Sequence, residues 1–125
     1  MNRPTAQVLD ACRAALAAEQ ARSLEETANW SHVDKAQVHA DWDALYQRLA
    51  PLVHSQPASA PAVQALMAEH YAIVSRFYAP SRQAYMGMGL LYEENPDMKA
   101  FHSAYHPDMV PFLAQAMFRY AETHL

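Results

Sequence analysis

The chain has 125 residues, 52% of them hydrophobic, and a formal net charge of −4 at pH 7. This is the length of one domain, and so high a hydrophobic fraction excludes a disordered protein. With thirteen acidic and nine basic residues spread along the chain, the sequence lacks the positive face typical of nucleic-acid binding. It also lacks a signal peptide and any apolar run near the roughly 20 residues of a membrane helix, which predicts a cytoplasmic protein without a membrane partner.

The composition predicts an all-α fold. Alanine supplies 25 residues, whereas Val, Ile and Thr together supply 11, a balance that favours helices over strands. The single cysteine, Cys12, excludes an internal disulfide and a multi-thiolate zinc site.

The first half of the chain is predicted to form two helices and a linker. Apolar residues at spacings of three and four predict a helix over Thr5–Glu26. Ser31 followed by Asp34 is similar to a capping box that opens a second helix, with Trp30 as a hydrophobic staple. The small, polar and proline-bearing segment His54–Ala60 predicts a linker.

The second half is predicted to form four helices. Pro61 begins a helix that Pro80 stops, and Ser81 caps a short helix. Asn95 caps another short helix, and Asp108 caps the last one. The sequence therefore predicts six helices, two of them short.

Aromatic and methionine residues are concentrated in the second half. Ten of the thirteen aromatic residues and six of the seven methionines lie between Met67 and Tyr120. This concentration indicates either an ordinary helical core or a large apolar pocket with adaptable walls. Gly87 and Gly89, the two glycines of the chain, lie inside a helical pattern, where each costs about 0.5–1 kcal/mol relative to alanine. They indicate either a close approach of two helices or the floor of a pocket.

The histidines allow two interpretations. His102 and His106 have the spacing of two metal ligands on one helix face, but Pro107 follows them and no third ligand is close in sequence. We therefore predict no metal site. His70 lies on the apolar face of its helix and is either a satisfied core histidine or a polar anchor in a pocket.

One stretch of the sequence resembles a known family. Residues 75–97, SRFYAPSRQAYMGMGLLYEENPD, preceded by PAVQAL at 61–66 and followed by PFLAQA at 111–116, resemble the TipAS antibiotic-recognition family, the effector-binding domain of MerR-type regulators. The matching features, in the family's order and spacing, are Phe77-Tyr78, Gly87-x-Gly89, Leu91-Tyr92, Asn95-Pro96 and Phe112-Leu113-x-x-Ala116. The resemblance covers residues 31–125 of what is predicted to be one domain over 1–125, with a divergent N-terminal helix over 1–29.

The resemblance implies a globin-like, all-α fold without haem that encloses a ligand cleft. It implies binding of a bulky peptide-like or aromatic antibiotic, of the thiopeptide or albicidin type, for drug sensing or for resistance by sequestration. Because the chain begins at its own methionine, without the winged helix of MerR proteins, we expect sequestration, with no catalysis and no cofactor. Some members capture thiopeptides through a cysteine after the Phe-Tyr pair, where this chain has Pro80, so we expect non-covalent binding.

Helical faces and family position together give twelve expected ligand-contacting residues. They are His39, Trp42, Tyr46, His70, Tyr78, Tyr85, Met88, Gly89, Tyr92, Phe101, His102 and Tyr105. The alternative is a helical interaction or dimerisation module, a homodimer for example, whose aromatic face meets a partner helix.

Overall fold

Six α-helices and no strand make up residues 3–125, the part of the chain that the structure, a computed structural model, describes. In chain order they are α1 (Ala6–Glu26), α2 (Lys35–Leu49), α3 (Pro61–Val74), α4 (Arg82–Glu94), α5 (Pro96–Ser103) and α6 (Met109–His124). A 3-10 turn, Ala50–Leu52, follows α2. The prediction of an all-α bundle of six helices is confirmed. Within the described residues, no helix is long and apolar enough to cross a membrane.

Side-chain caps begin four of the helices. Thr5 Oγ1 accepts a hydrogen bond from the backbone N–H of Val8 at the start of α1, and Asp34 caps α2. Ser81 caps α4, and Asn95 Oδ1 accepts from two N–H groups of α5, as the sequence predicts. Each of these bonds satisfies a donor that the first turn of a helix would otherwise leave free.

Two of the predicted boundaries are wrong, and a third is in the predicted place without its capping bond. The Ser31 hydroxyl donates to the Thr27 carbonyl, so that Asp34 alone caps α2. Asp108 is the N-cap residue of α6, as predicted, but its side chain makes no capping bond because the carboxylate bonds to a histidine of the linker. Finally, α3 ends at Val74 rather than at Pro80, because the chain tightens into turns with i to i−3 hydrogen bonds after it.

Helix α4 lies between α1 and α6, and its two glycines account for this position. A Cβ at Gly87 would lie 2.3 Å from the carbonyl oxygen of Cys12 on α1. A Cβ at Gly89 would lie 3.3 Å from the Cα of Ala114 on α6. Both glycines therefore serve the close approach of helices, the first of the two interpretations that the sequence allows.

A left-handed turn connects α1 to α2. Ala28, Asn29 and Trp30 have φ values of 50°, 59° and 61°, a conformation that costs roughly 1–2 kcal/mol per residue. Trp30 is held there by the hydrogen bond from its Nε1–H to Ser23 Oγ (2.8 Å) and by edge-to-face packing on Phe77, 4.9 Å between ring centres. The turn thereby places an indole ring at one end of the groove described next.

Candidate functional site

A groove separates α2 from α4 and α5. Helix α2 packs along α3, where the Arg48–Glu69 ion pair joins the two helices. Two adjoining cavities of about 310 and 450 Å³ lie between α2 on one side and α4–α5 on the other. The cavities share five lining residues, His39, Trp42, Leu91, Tyr92 and Met98, and so form one continuous groove.

Eight of the twelve expected ligand-contacting residues line this groove. From α2 and the turn after α3 they are His39, Trp42, Tyr46 and Tyr78; from α4 and α5 they are Met88, Tyr92, Phe101 and His102. The Trp42 ring stacks on Phe77 with 6.0 Å between centres, and Tyr92 stacks on His102 at 4.2 Å. Because aromatic rings and a methionine dominate the walls, the groove suits a ligand with large apolar faces.

The other four expected residues lie outside the lining. Tyr105 donates a hydrogen bond to Asp43 (2.6 Å) and packs behind Tyr46. His70 and Tyr85 are fully buried beneath the groove. Gly89 packs against Ala114 of α6 and lines neither cavity.

Ten further lining residues were missed by sequence reasoning. They are Gln20, Trp30, Lys35, Val38, Val74, Phe77, Leu91, Asn95, Asp97 and Met98. Phe77 and Leu91 each belong to a pair in the family pattern, and Met98 lies one helical turn before His102, so these three carried a usable signal. Trp30 carried none, because the left-handed turn that positions it has no glycine to mark it.

A chain of buried hydrogen bonds runs beneath the groove and joins four helices. His102 Nδ1 lies 2.7 Å from the Met98 carbonyl oxygen, and its Nε2 lies 3.0 Å from Tyr46 Oη. Tyr46 Oη also lies 3.2 Å from His70 Nε2, and His70 Nδ1 lies 2.8 Å from Tyr85 Oη. All four side chains are at most 2% exposed.

The carbonyl end fixes the direction of every bond in this chain. A carbonyl oxygen only accepts, so His102 Nδ1 carries the proton and, in the neutral ring, Nε2 accepts from the Tyr46 hydroxyl. Tyr46 Oη then accepts from His70 Nε2–H, which leaves His70 Nδ1 to accept from the Tyr85 hydroxyl. His70 is therefore a satisfied core histidine, the first of the two alternatives that its sequence position allows.

Burial favours the neutral forms that this direction requires. Burial, with a smaller contribution from the neighbouring His102, lowers the pKa of His70 to about 3. Burial also lowers the pKa of His102 and raises the pKa of the Tyr46 and Tyr85 hydroxyls. At neutral pH the four hydrogen-bonded side chains are therefore uncharged, and all their polar atoms are paired.

The stability of the protein should fall on acidification below about pH 6.5. The pKa of His70 is about 3 in the folded state and about 6.5 when unfolded, so the unfolded state binds more protons between these values. Stability is then lost as the pH falls, by about 2 kcal/mol from His70 between pH 7 and pH 5. Urea unfolding at pH 7, 6 and 5 measures how the free energy of unfolding changes with pH.

Two variants make this measurement specific. His70→Gln is expected to lower stability at pH 7 and to flatten its dependence on pH. His39→Gln, which removes an exposed groove histidine, is the matched control. An unchanged slope in His70→Gln would contradict a neutral, buried His70.

His102 and His106, the metal pair considered from the sequence, are engaged in different places. Both ring nitrogens of His102 bond to protein groups. The ligand atoms of His106, His54 and Asp108 lie within 4.8 Å of one another. The Asp108 carboxylate bonds to His54 Nε2 (2.7 Å), and the Asp108 N–H donates to His106 Nδ1 (3.0 Å). These bonds tie the linker to the start of α6.

Comparison with known proteins relates this chain to a bacterial regulator. It is 30% identical over 96 residues to the HTH-type transcriptional regulator SkgA from two strains of Caulobacter vibrioides, an alignment that covers 74% of this chain and 38% of the regulator. No solved structure matches the chain at a comparable significance. The profile of a family described as the TipAS antibiotic-recognition domain matches residues 13–120, so it includes two thirds of α1 as well as most of the predicted 31–125 region. Because this match takes in most of its length, the chain belongs to the TipAS antibiotic-recognition domain family.

Proposed function

We propose that the groove captures a bulky, largely aromatic or peptide-like antibiotic, without a covalent bond and without catalysis. The observation that carries the proposal is a continuous groove, walled by aromatic side chains and methionines, in a member of an antibiotic-recognition family. Its two cavities, about 310 and 450 Å³, are of the size that drug-like ligands occupy.

The rim of the groove supplies part of the driving force. Phe101 is 43% exposed and Met98 is 38% exposed, and both lie on α5 at the groove. A ligand that covers these side chains removes their apolar surface from water, which contributes about 25 cal/mol per Å². Met88 and Met98 can also change rotamer, so the walls can adapt to the shape of the ligand.

Non-covalent capture is supported by the position of Cys12. This residue, the only cysteine of the sequence, is fully buried and faces α4 at Gly87. Burial also raises the pKa of its thiol, which keeps the less reactive protonated form. The groove lining therefore offers a ligand no cysteine thiolate.

The aromatic lining of the groove is the basis for ranking the two antibiotic types. Aromatic side chains on both walls can stack on a row of flat rings, so we place the albicidin type first and the thiopeptide type second. Capture is the step that sequestration and drug sensing share, and the proposal concerns that step.

Titration with albicidin and with thiostrepton tests the proposal. We expect saturable binding at micromolar protein, seen as a change in tryptophan fluorescence because Trp42 and Trp30 both line the groove. Phe101→Ala is expected to weaken binding roughly tenfold through lost apolar contact. Val8→Ala is the matched control, since Val8 is equally exposed at 43% but lies on α1 outside the groove lining.

The outcomes separate ligand capture from the dimerisation alternative. Capture in the groove is supported if Phe101→Ala weakens antibiotic binding and Val8→Ala leaves it unchanged. If neither antibiotic binds, and sedimentation shows a dimer that Phe101→Ala dissociates, the groove is a dimerisation surface and the proposal is wrong.

A further inference from the structure

Two buried hydrogen-bond donors of the groove residues have no partner. Within residues 3–125, three buried side-chain polar atoms lack a hydrogen bond, namely Trp42 Nε1, Tyr78 Oη and Gln64 Oε1. Trp42 and Tyr78 both line the 310 Å³ cavity, whereas Gln64 lines neither cavity. Two of the three unsatisfied atoms thus belong to residues that line one cavity.

The second tryptophan shows that the fold can satisfy an indole at this groove. Trp30 lines the same cavity, and its Nε1–H donates to Ser23 Oγ at 2.8 Å. Trp42 instead packs against aromatic rings, with Phe77 stacked on it and His70 6.3 Å away, and neither bonds to its Nε1. An indole nitrogen donates only, so an acceptor is the one group that can satisfy it.

Leaving these donors unpaired costs free energy in the ligand-free protein. Taking a donor out of water without a partner forfeits its bonds to water, a loss that an acceptor on a ligand would restore. Burial raises the pKa of Tyr78 to about 12, so its hydroxyl keeps its proton at neutral pH and remains able to donate.

We infer that the ligand of this groove is a flat aromatic compound that presents hydrogen-bond acceptors, such as aryl-amide carbonyl oxygens or ring nitrogens, to Trp42 Nε1–H and to the Tyr78 hydroxyl. This inference rests on the proposed function and specifies the chemistry of its ligand. Because the walls are otherwise apolar, these two donors would select among ligands of similar size: a compound that lacks acceptors leaves both unpaired.

The acceptor reaches these donors by displacing side chains. Both atoms have almost no contact with solvent in the ligand-free protein, so a ligand has to move neighbouring side chains to reach them. Met88 and Met98 line the same cavity and are unbranched, so they can move aside without a change in the helices.

The two indole N–H signals provide a direct test by ¹⁵N NMR, because the chain has two tryptophans. On titration with albicidin, an aromatic oligoamide, we expect the Trp42 indole signal to move downfield and its hydrogen exchange to slow. The Trp30 signal, already bonded to Ser23, is the internal control. Benzanilide and N-benzylaniline, which differ by a carbonyl in place of a methylene, form a matched probe pair, and we expect benzanilide to bind roughly tenfold more tightly.

Tyr78→Phe gives a second test, one readout of which, thermal unfolding, needs no ligand. Removing an unsatisfied hydroxyl should raise the midpoint of thermal unfolding, by about 2–5 °C, and weaken albicidin binding by roughly tenfold. Tyr105→Phe is the matched control: its hydroxyl has a partner, Asp43, so we expect no rise in the midpoint.

These measurements separate failure of the inference from failure of the proposed function. If albicidin binds but the Trp42 signal stays in place and Tyr78→Phe binds as tightly as wild type, the donors are not used and the inference is overturned alone. A fall in the unfolding midpoint of Tyr78→Phe also overturns it, by showing that the hydroxyl has a partner in the protein. If albicidin, thiostrepton and benzanilide all fail to bind, the proposed function fails and the inference fails with it.

Discussion

Gly87→Ala is expected to destabilise the protein by about 3 kcal/mol, the upper part of the range for an overpacked helix contact. The added Cβ would lie 2.3 Å from the Cys12 carbonyl oxygen and 2.9 Å from its carbonyl carbon, both backbone atoms of α1. Backbone atoms cannot rotate out of the way, so the whole of α1 has to move. The gain in helix propensity from glycine to alanine, about 1 kcal/mol, offsets only part of this cost.

Gly89→Ala is the matched control on the same helix. Its Cβ would meet Ala114 Cα at 3.3 Å and the Phe118 ring at 3.5 Å, contacts that a shift of a few tenths of an ångström relieves. The helix propensity gain then offsets most of the cost, and we expect a change within about 1 kcal/mol. Urea unfolding followed by circular dichroism measures both variants, and equal stabilities would contradict the close approach of α1 at Gly87.

The position of α1 also bears on the groove. Gln20 of α1 lines the smaller cavity, and Trp30 follows α1 through the left-handed turn. A displaced α1 would carry both residues away from the opposite wall on α2. We therefore expect Gly87→Ala to bind the antibiotic more weakly as well as to be less stable.

Features set by neighbours in sequence could be predicted well. Ser81 and Asn95 cap their helices as expected, because a capping bond joins a side chain to a backbone N–H two or three residues later. The side chains of Ser31 and Asp108 make no capping bond because other partners, the Thr27 carbonyl and His54, engage them. The Asp108 carboxylate, for example, bonds to His54, a residue 54 positions away.

The groove was only partly predictable for the same reason. Helical spacing and the family pattern predict Trp42, Tyr92 and Phe101 as ligand contacts, and the structure puts all three at the groove. The family pattern includes the glycine pair, but only the packing of α4 between α1 and α6 assigns it to helix contacts. The hydrogen-bond chain could not be predicted, because Tyr46 and His102 are 56 residues apart and no local pattern marks their pairing.

Tyr46→Phe is expected to lower the free energy of unfolding by about 2–4 kcal/mol, because Tyr46 is the central member of the hydrogen-bond chain. Its loss leaves His70 Nε2–H without an acceptor and His102 Nε2 without a donor, and each unpaired buried group costs about 1–3 kcal/mol. Tyr85→Phe is the matched control: Tyr85 stands at the end of the chain, so its loss leaves only His70 Nδ1 unpaired and should cost about half as much.

The same variants should differ in their effect on α5, which carries part of the groove wall. The Tyr46 bond to His102 joins α5 to α2, whereas His70 is the only member of the hydrogen-bond chain to which Tyr85 bonds. We therefore expect faster amide hydrogen exchange over 96–103 in Tyr46→Phe than in Tyr85→Phe. Equal exchange in the two variants would show that the chain does not hold the wall in place.

The direction of the chain can be measured in the wild-type protein. Nitrogen chemical shifts distinguish the two neutral tautomers of a histidine, and the carbonyl of Met98 requires the Nδ1–H form of His102 and, through Tyr46, the Nε2–H form of His70. Two histidines in opposite tautomers are the expected result at pH 7. If both carried the proton on the same nitrogen, one bond of the chain would have two donors or none, and the larger cost expected for Tyr46→Phe would lose its basis.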